Sequence, residues 1–162
     1  MTSTTTTFNT QSDIFILMIQ QEAWIEQLYR VYQNLFPTLD AFWDQLAREE
    51  HIHGEVLAQL AKRVDNETCF FVERKFNTTG LQTSCDYIRK QIQVASTEPV
   101  TLVKALATAM DLETSLIEKE FFTVVASDTP ANRAVFQVLY GQTQEHRQRI
   151  VALLAEARMR PA

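Results

Sequence analysis

The chain has 162 residues, 46% of them hydrophobic and 22% charged, with a formal net charge of -5. That acidic balance excludes the basic stripe of a nucleic-acid binder, and three glycines and four prolines are too few for the many turns of an all-β fold. Two cysteines, Cys69 and Cys85, cannot build a disulfide framework or an all-cysteine zinc site, so the expectation is a single all-α domain that buries roughly two-thirds of its unfolded surface.

Residues 1 to 11 contain the threonine run Thr4–Thr7 and no basic segment, and read as a disordered tail without a secretory signal. The domain is expected over residues 12 to 160. A first helix is predicted from the capping residues Ser12 or Asp13 to Phe36. Its apolar run Ile14–Ile19 is far shorter than the roughly 20 residues that span a bilayer, so no membrane partner is expected and the cytoplasm is the default compartment. A second helix follows Pro37, with Thr38 or Asp40 as cap, and runs to about Val64. Residues 65 to 97 form a crossover in which Leu81 to Ala95 is weakly helical, a short helix. A third long helix starts near Thr97 with Pro99 in its first turn and reaches about Ala126. The fourth follows Ser127-Asp128-Thr129-Pro130 and ends near Met159. Two antiparallel hairpins joined by one long crossover make a four-helix bundle the simplest architecture. In one register Pro37 matches Pro130 and His53 matches His146, which points to an internal duplication.

The informative feature is charge where the helical period demands apolar residues. Glu22 interrupts the stripe Phe15, Met18, Ile25, Tyr29 and Tyr32. Glu50 and His53, three apart, interrupt Trp43, Leu46, Ala47, Leu57 and Leu60. Glu113 interrupts Leu102, Leu106, Ala109, Met110 and Leu116, and His146 interrupts Val135, Leu139, Gln142, Ile150 and Leu153. Glu22 and Glu50 stand equally far from the Pro37 turn, as do Glu113 and His146 from the Pro130 turn, so all five fall at mid-height, about 20 Å from the turns. Glu120 falls about two helical turns away and is excluded as a first-choice ligand. Each unpaired buried ion costs several kcal/mol. No arginine lies on the stripes at this level, and Arg48 and Glu49 point elsewhere, so metal cations are the expected compensation. Carboxylate-plus-imidazole ligation suits iron or manganese, with zinc less preferred.

Glu22-Ala23 with Tyr29 seven residues later, the run Leu46-Ala47-Arg48-Glu49-Glu50-His51-Ile52-His53, Asp111-Leu112-Glu113 and Glu145-His146 resemble the ferritin-like superfamily and, within it, the rubrerythrin-like proteins. The resemblance covers roughly residues 13 to 158. It implies a di-iron carboxylate centre in a ferritin-like four-helix bundle, with Glu22 and His53 on one iron, Glu113 and His146 on the other, and Glu50 bridging. The second Glu-x-x-His is incomplete, because Thr143 stands three before His146 and Gln142 four before. One bridging carboxylate is therefore missing, and a single metal is compatible with the remaining set. Thr143, Gln142 and Tyr29 are expected beside the ligands. Tyr29 and Tyr140 read first as core aromatics with satisfied hydroxyls. Cys69 and Cys85 read as free or buried thiols, and His51 as solvated.

The resemblance implies an oxidoreductase acting on peroxide or dioxygen, a rubrerythrin-like peroxidase or ferroxidase. The chain has no paired Cys-x-x-Cys motif, so the electron donor is expected to be a separate partner, and a homodimer is the assembly such bundles often adopt. Two other functions fit the same residues: an iron handling or storage protein, and a metal-poor helical bundle that binds a partner.

Overall fold

The computed structural model describes residues 11–64, 78–118 and 130–160, and these are helical with no strand among them. Helix α1 (Gln11–Leu35) turns through a single 3-10 turn, Pro37–Leu39, into α2 (Asp40–Val64). Then come α3 (Thr78–Thr97), α4 (Leu102–Glu118) and α5 (Pro130–Met159). Of the tail expected over 1–11, residue Gln11 opens α1, and residues 1–10 lie outside the described residues, as do Cys69 and the expected non-ligand Glu120; no described helix is long and apolar enough to cross a membrane.

The first hairpin is set by local chemistry at its turn. Pro37 cannot donate a backbone hydrogen bond and starts the 3-10 turn. The Phe36 amide still reaches Tyr32 O at 2.9 Å, closing α1, while the Leu39 amide reaches Phe36 O at 2.9 Å. Gln33 Nε2 donates to Asp40 Oδ1 at 2.8 Å and Arg30 pairs with Asp44. Further along, Glu26 meets His51 at 3.1 Å. These pairs climb α1 as they descend α2, which makes the two helices antiparallel.

The crossover differs from the short helix expected. Helix α3 is 20 residues long, about 30 Å at 1.5 Å per residue. Its buried residues Leu81, Cys85, Ile88 and Ala95 recur at helical spacing and seat it on α1. Gln21 Nε2 donates to Ser84 Oγ at 2.7 Å, Cys85 Sγ lies 3.8 Å from Leu17 O, and Arg89 stacks over Trp24. The order of these pairs shows α3 running parallel to α1, so a full-length helix returns the chain to the end where α2 began. This is why α1 buries two faces: Phe15, Met18, Glu22, Ile25 and Tyr29 on one side, Ile14, Gln21 and Leu28 beside them.

Helix α4 begins later than expected. Pro99 lies in the connection before it, and Thr101 caps the helix, its Oγ1 accepting the Lys104 amide at 3.2 Å. The chain up to Thr97 still belongs to α3, and the Glu98 amide reaches Val94 O at 2.8 Å, so α4 starts only after the turn past Pro99. Helix α4 packs against α5, whose 30 residues bury Asn132, Phe136, Leu139, Thr143, His146, Ile150 and Leu154. That face is rotated slightly from the expected stripe. Thr143 is buried and Gln142 exposed at the backbone position where Gln142 was expected inside.

Candidate metal centre

The four helices other than α3 each send an ionisable side chain to one dry level. Glu22 (α1), Glu50 and His53 (α2), Glu113 (α4) and His146 (α5) are all at most 2% exposed. Leu46, Leu57, Leu106, Leu139 and Ile150, equally buried, supply the apolar surroundings.

Glu50 is the hub. Its Oε1 lies 2.6 Å from His146 Nδ1 and its Oε2 lies 3.3 Å from His53 Nδ1. The two imidazoles stack at 5.2 Å with an interplanar angle of 12°. Glu50, His53 and His146 each offer a ligand atom within 4.8 Å of the other two. Glu113 Oε1 joins from α4 at 3.7 Å from His146 Nδ1. Glu22 comes from α1, close enough to Glu50 for the two carboxyls to perturb each other. Gly54 lies opposite it, and an added Cβ there would stand in ordinary contact, 3.7 Å from Glu22 Cβ.

Short distance is not hydrogen bonding here. Glu22 Oε2, Glu50 Oε1, Glu113 Oε2, His53 Nδ1 and both nitrogens of His146 are buried without a hydrogen-bond partner. Glu50 Oε1 and His146 Nδ1, 2.6 Å apart, meet as an ion pair. Buried polar atoms are nearly always satisfied, since each orphan costs about 1–3 kcal/mol. Carboxylate oxygens and imidazole nitrogens gathered at one place are donor types that could hold a metal ion. Among the described residues no lysine or arginine pairs with Glu22, Glu50 or Glu113.

Outer groups fix the orientation of the ring nitrogens. His53 Nε2 lies 3.0 Å from Gln142 Oε1, and its Nδ1 faces Glu50. His146 Nε2 lies 3.1 Å from Glu49 Oε2, and Glu49 in turn pairs with Arg149. The Tyr29 hydroxyl donates to Glu113 Oε1 at 2.6 Å. Thr143 turns its hydroxyl back to Leu139 O at 3.0 Å and offers nothing to the centre.

The metal-free electrostatics divide the carboxyls. Burial raises Glu50, but His146 and His53 outweigh it and hold the carboxyl well below its usual range. Burial, with Glu50 next, pushes Glu22 well above and also raises Glu113. His146 is lowered by burial, yet Glu50 and Glu113 beside it bring it up to about 10. Without cations, protons collect on Glu22, Glu113 and His146.

All five residues named from the interrupted stripes therefore converge, and Tyr29 and Gln142 touch ligand candidates as expected. Glu49 is a correction: expected to point elsewhere, it reaches His146 because a long side chain at 30% exposure can bend back from the neighbouring helical position. Arg149 on α5 anchors it. The one sequence signal for Glu49 was its place beside Glu50. Tyr140 is half-buried against the core, and Cys85 is a buried free thiol. His51, as expected, is largely exposed, paired with Glu26 and Glu55. The chain matches no family model, no curated protein and no solved structure.

Proposed function

We propose that this chain is a ferritin-like four-helix-bundle metalloprotein that holds iron on Glu22, Glu50, His53, Glu113 and His146 and works as an oxidoreductase on peroxide or dioxygen. The observation that carries the reading is that each of these five side chains keeps a buried ligand atom without a hydrogen-bond partner. When bound, the iron supplies one-electron redox chemistry and Lewis acidity. Glu50, placed between the two imidazoles, is the residue suited to bridge. Gln142 and Glu49 hold the rings with Nδ1 directed inward. Tyr29 binds one oxygen of Glu113 and leaves the other for a cation. The apolar walls exclude water, which strengthens every charge interaction inside. A separate electron donor would return the centre to its reduced state.

The test is metal analysis of protein purified without chelator and then loaded anaerobically with ferrous ion. About two irons per chain are expected, following the carboxylate count of such centres. A form with one ion on Glu50, His53 and His146 is the second reading, favoured by the 4.8 Å clustering of their ligand atoms and by the withdrawal of Thr143. One iron per chain would select it. No retained metal after loading would leave a metal-free bundle and overturn both.

A further inference from the structure

Two side chains that reach solvent touch the buried centre. Gln142 is exposed and neutral, and its Oε1 lies 3.0 Å from His53 Nε2. Glu49 is charged and 30% exposed, and its Oε2 lies 3.1 Å from His146 Nε2. That nitrogen belongs to a side chain 1% exposed and has no hydrogen-bond partner. Across the ring, His146 Nδ1 stands 2.6 Å from Glu50 Oε1. One imidazole therefore joins an outer carboxylate to the hub of the inner set.

The outer carboxylate is already occupied. Arg149, 31% exposed, places Nη2 on Glu49 Oε2, the same oxygen that faces His146, while Gln45 Nε2 donates to Oε1 at 3.1 Å. Orienting the ring accounts for a carboxylate beside Nε2. It does not account for a guanidinium on that very oxygen. An ion pair this accessible adds little to stability, so holding the fold together is a weak reason for it.

We propose that Glu49 is the receiving site for divalent cations on their way to the centre and that Arg149 is its latch. This rests on the metal reading above and concerns how that centre fills. In the metal-free chain the guanidinium sits on the oxygen that an arriving cation would use. The two positive charges repel each other and cannot share it. A cation is admitted when Arg149 swings into solvent, as its exposure allows, and the returning arginine closes the passage. No covalent bond changes; one ion replaces another on Glu49. Filling and emptying pass the same latch, so it slows both equally and leaves the equilibrium affinity to the groups around the metal.

The full chain, stripped with chelator, is mixed in a stopped flow with zinc held by a weak chromophoric indicator. Bound zinc is afterwards withdrawn by a strong chelator in excess. Arg149→Gln should raise the uptake and removal rates together by about two- to fivefold, the factor for opening an accessible ion pair, and keep their ratio unchanged. Glu49→Gln should slow uptake by about tenfold or more, because it removes the charge that draws the cation in. Arg147→Gln is the control: it deletes an equal charge two residues away, where Arg147 donates to Thr114 at 2.8 Å, and should leave both rates as they are. Should Arg149→Gln fail to fold, Arg149→Met, of similar length and uncharged, replaces it with the same expectation. If Arg149 only braced Glu49, its glutamine variant would load no faster and bind zinc more weakly. That result, an equal acceleration in Arg147→Gln, or native uptake in Glu49→Gln overturns the latched entrance and leaves the metal reading standing. A native chain that takes up no zinc overturns both.

Discussion

Glu50 has to behave differently from Glu22 and Glu113, although all three are carboxyls sealed from water. It alone stands between two imidazoles, His146 the stronger, which hold its carboxyl below the usual range, while burial and its own negative charge raise the other two. Removing Glu50 would therefore take away both the hub of the donor set and the group that keeps His146 charged in the metal-free chain. Glu50→Ala and Glu50→Gln should each lose most of the bound metal, read by elemental analysis after equal loading. The glutamine is the sharper case, because it preserves volume and removes only the charge. Glu49 acts through His146. Glu49→Gln should leave stoichiometry intact and weaken metal affinity by about 10–100-fold, as loss of outer partners usually does, measured by competition with a chromophoric chelator. The five inner residues were legible because an ionisable side chain on an apolar stripe is conspicuous. Glu49 sits one position off the stripe and bends back from there, so the period that reveals Glu50 conceals its neighbour. Gln142 was noticed, but on a face the helix does not bury: Thr143 occupies the inside, and only the tip of Gln142 reaches His53.

At the scale of elements, the hairpin turn at Pro37 and the length of α5 followed from caps, prolines and apolar spacing, whereas α3 was underread. Its buried face is narrow, with Cys85 and Ala95 standing where larger apolar residues usually mark a core helix. Glutamines, threonines and charges fill the rest, because among the described residues α3 packs chiefly on α1. The late start of α4 has a comparable cause, since a proline marks the neighbourhood of a helix start more reliably than the residue at which it occurs. Ile88, like Leu81, is a fully buried residue of α3. Ile88→Ala should cost about 2–5 kcal/mol, read as a fall in the urea midpoint. The metal content of the folded variant should be unchanged, because α3 contributes no ligand. A matched loss of metal in the folded protein would show that α3 also holds Glu22 in place.

For the whole molecule, burying five ionisable groups makes stability depend on whichever cation, proton or metal, neutralises them. A group whose folded pKa is raised binds its proton more tightly in the native state. Its contribution is complete below the unfolded value and disappears as pH climbs through the folded value. Glu22 and Glu113, raised above 4.5, and His146, raised from 6.5 to about 10, all act in this sense. Glu50, held below 4.5, acts oppositely, contributing above that value and losing its contribution as pH falls through its lowered one. The metal-free chain should therefore lose stability steadily as pH rises from about 5 towards 10. Metal binding runs against this trend, because ligands must shed protons before they coordinate. Added metal stabilises the native state by RT ln(1 + [L]/Kd), about 2.7 kcal/mol at a hundredfold excess over Kd. That increment should grow with pH across the window in which metal-free stability declines. Urea midpoints with excess chelator and with zinc, compared at about pH 6 and about pH 8.5, read both slopes directly. Zinc is used because it takes carboxylate and imidazole ligands without redox chemistry. Parallel slopes would mean that no proton is exchanged for a cation at this centre.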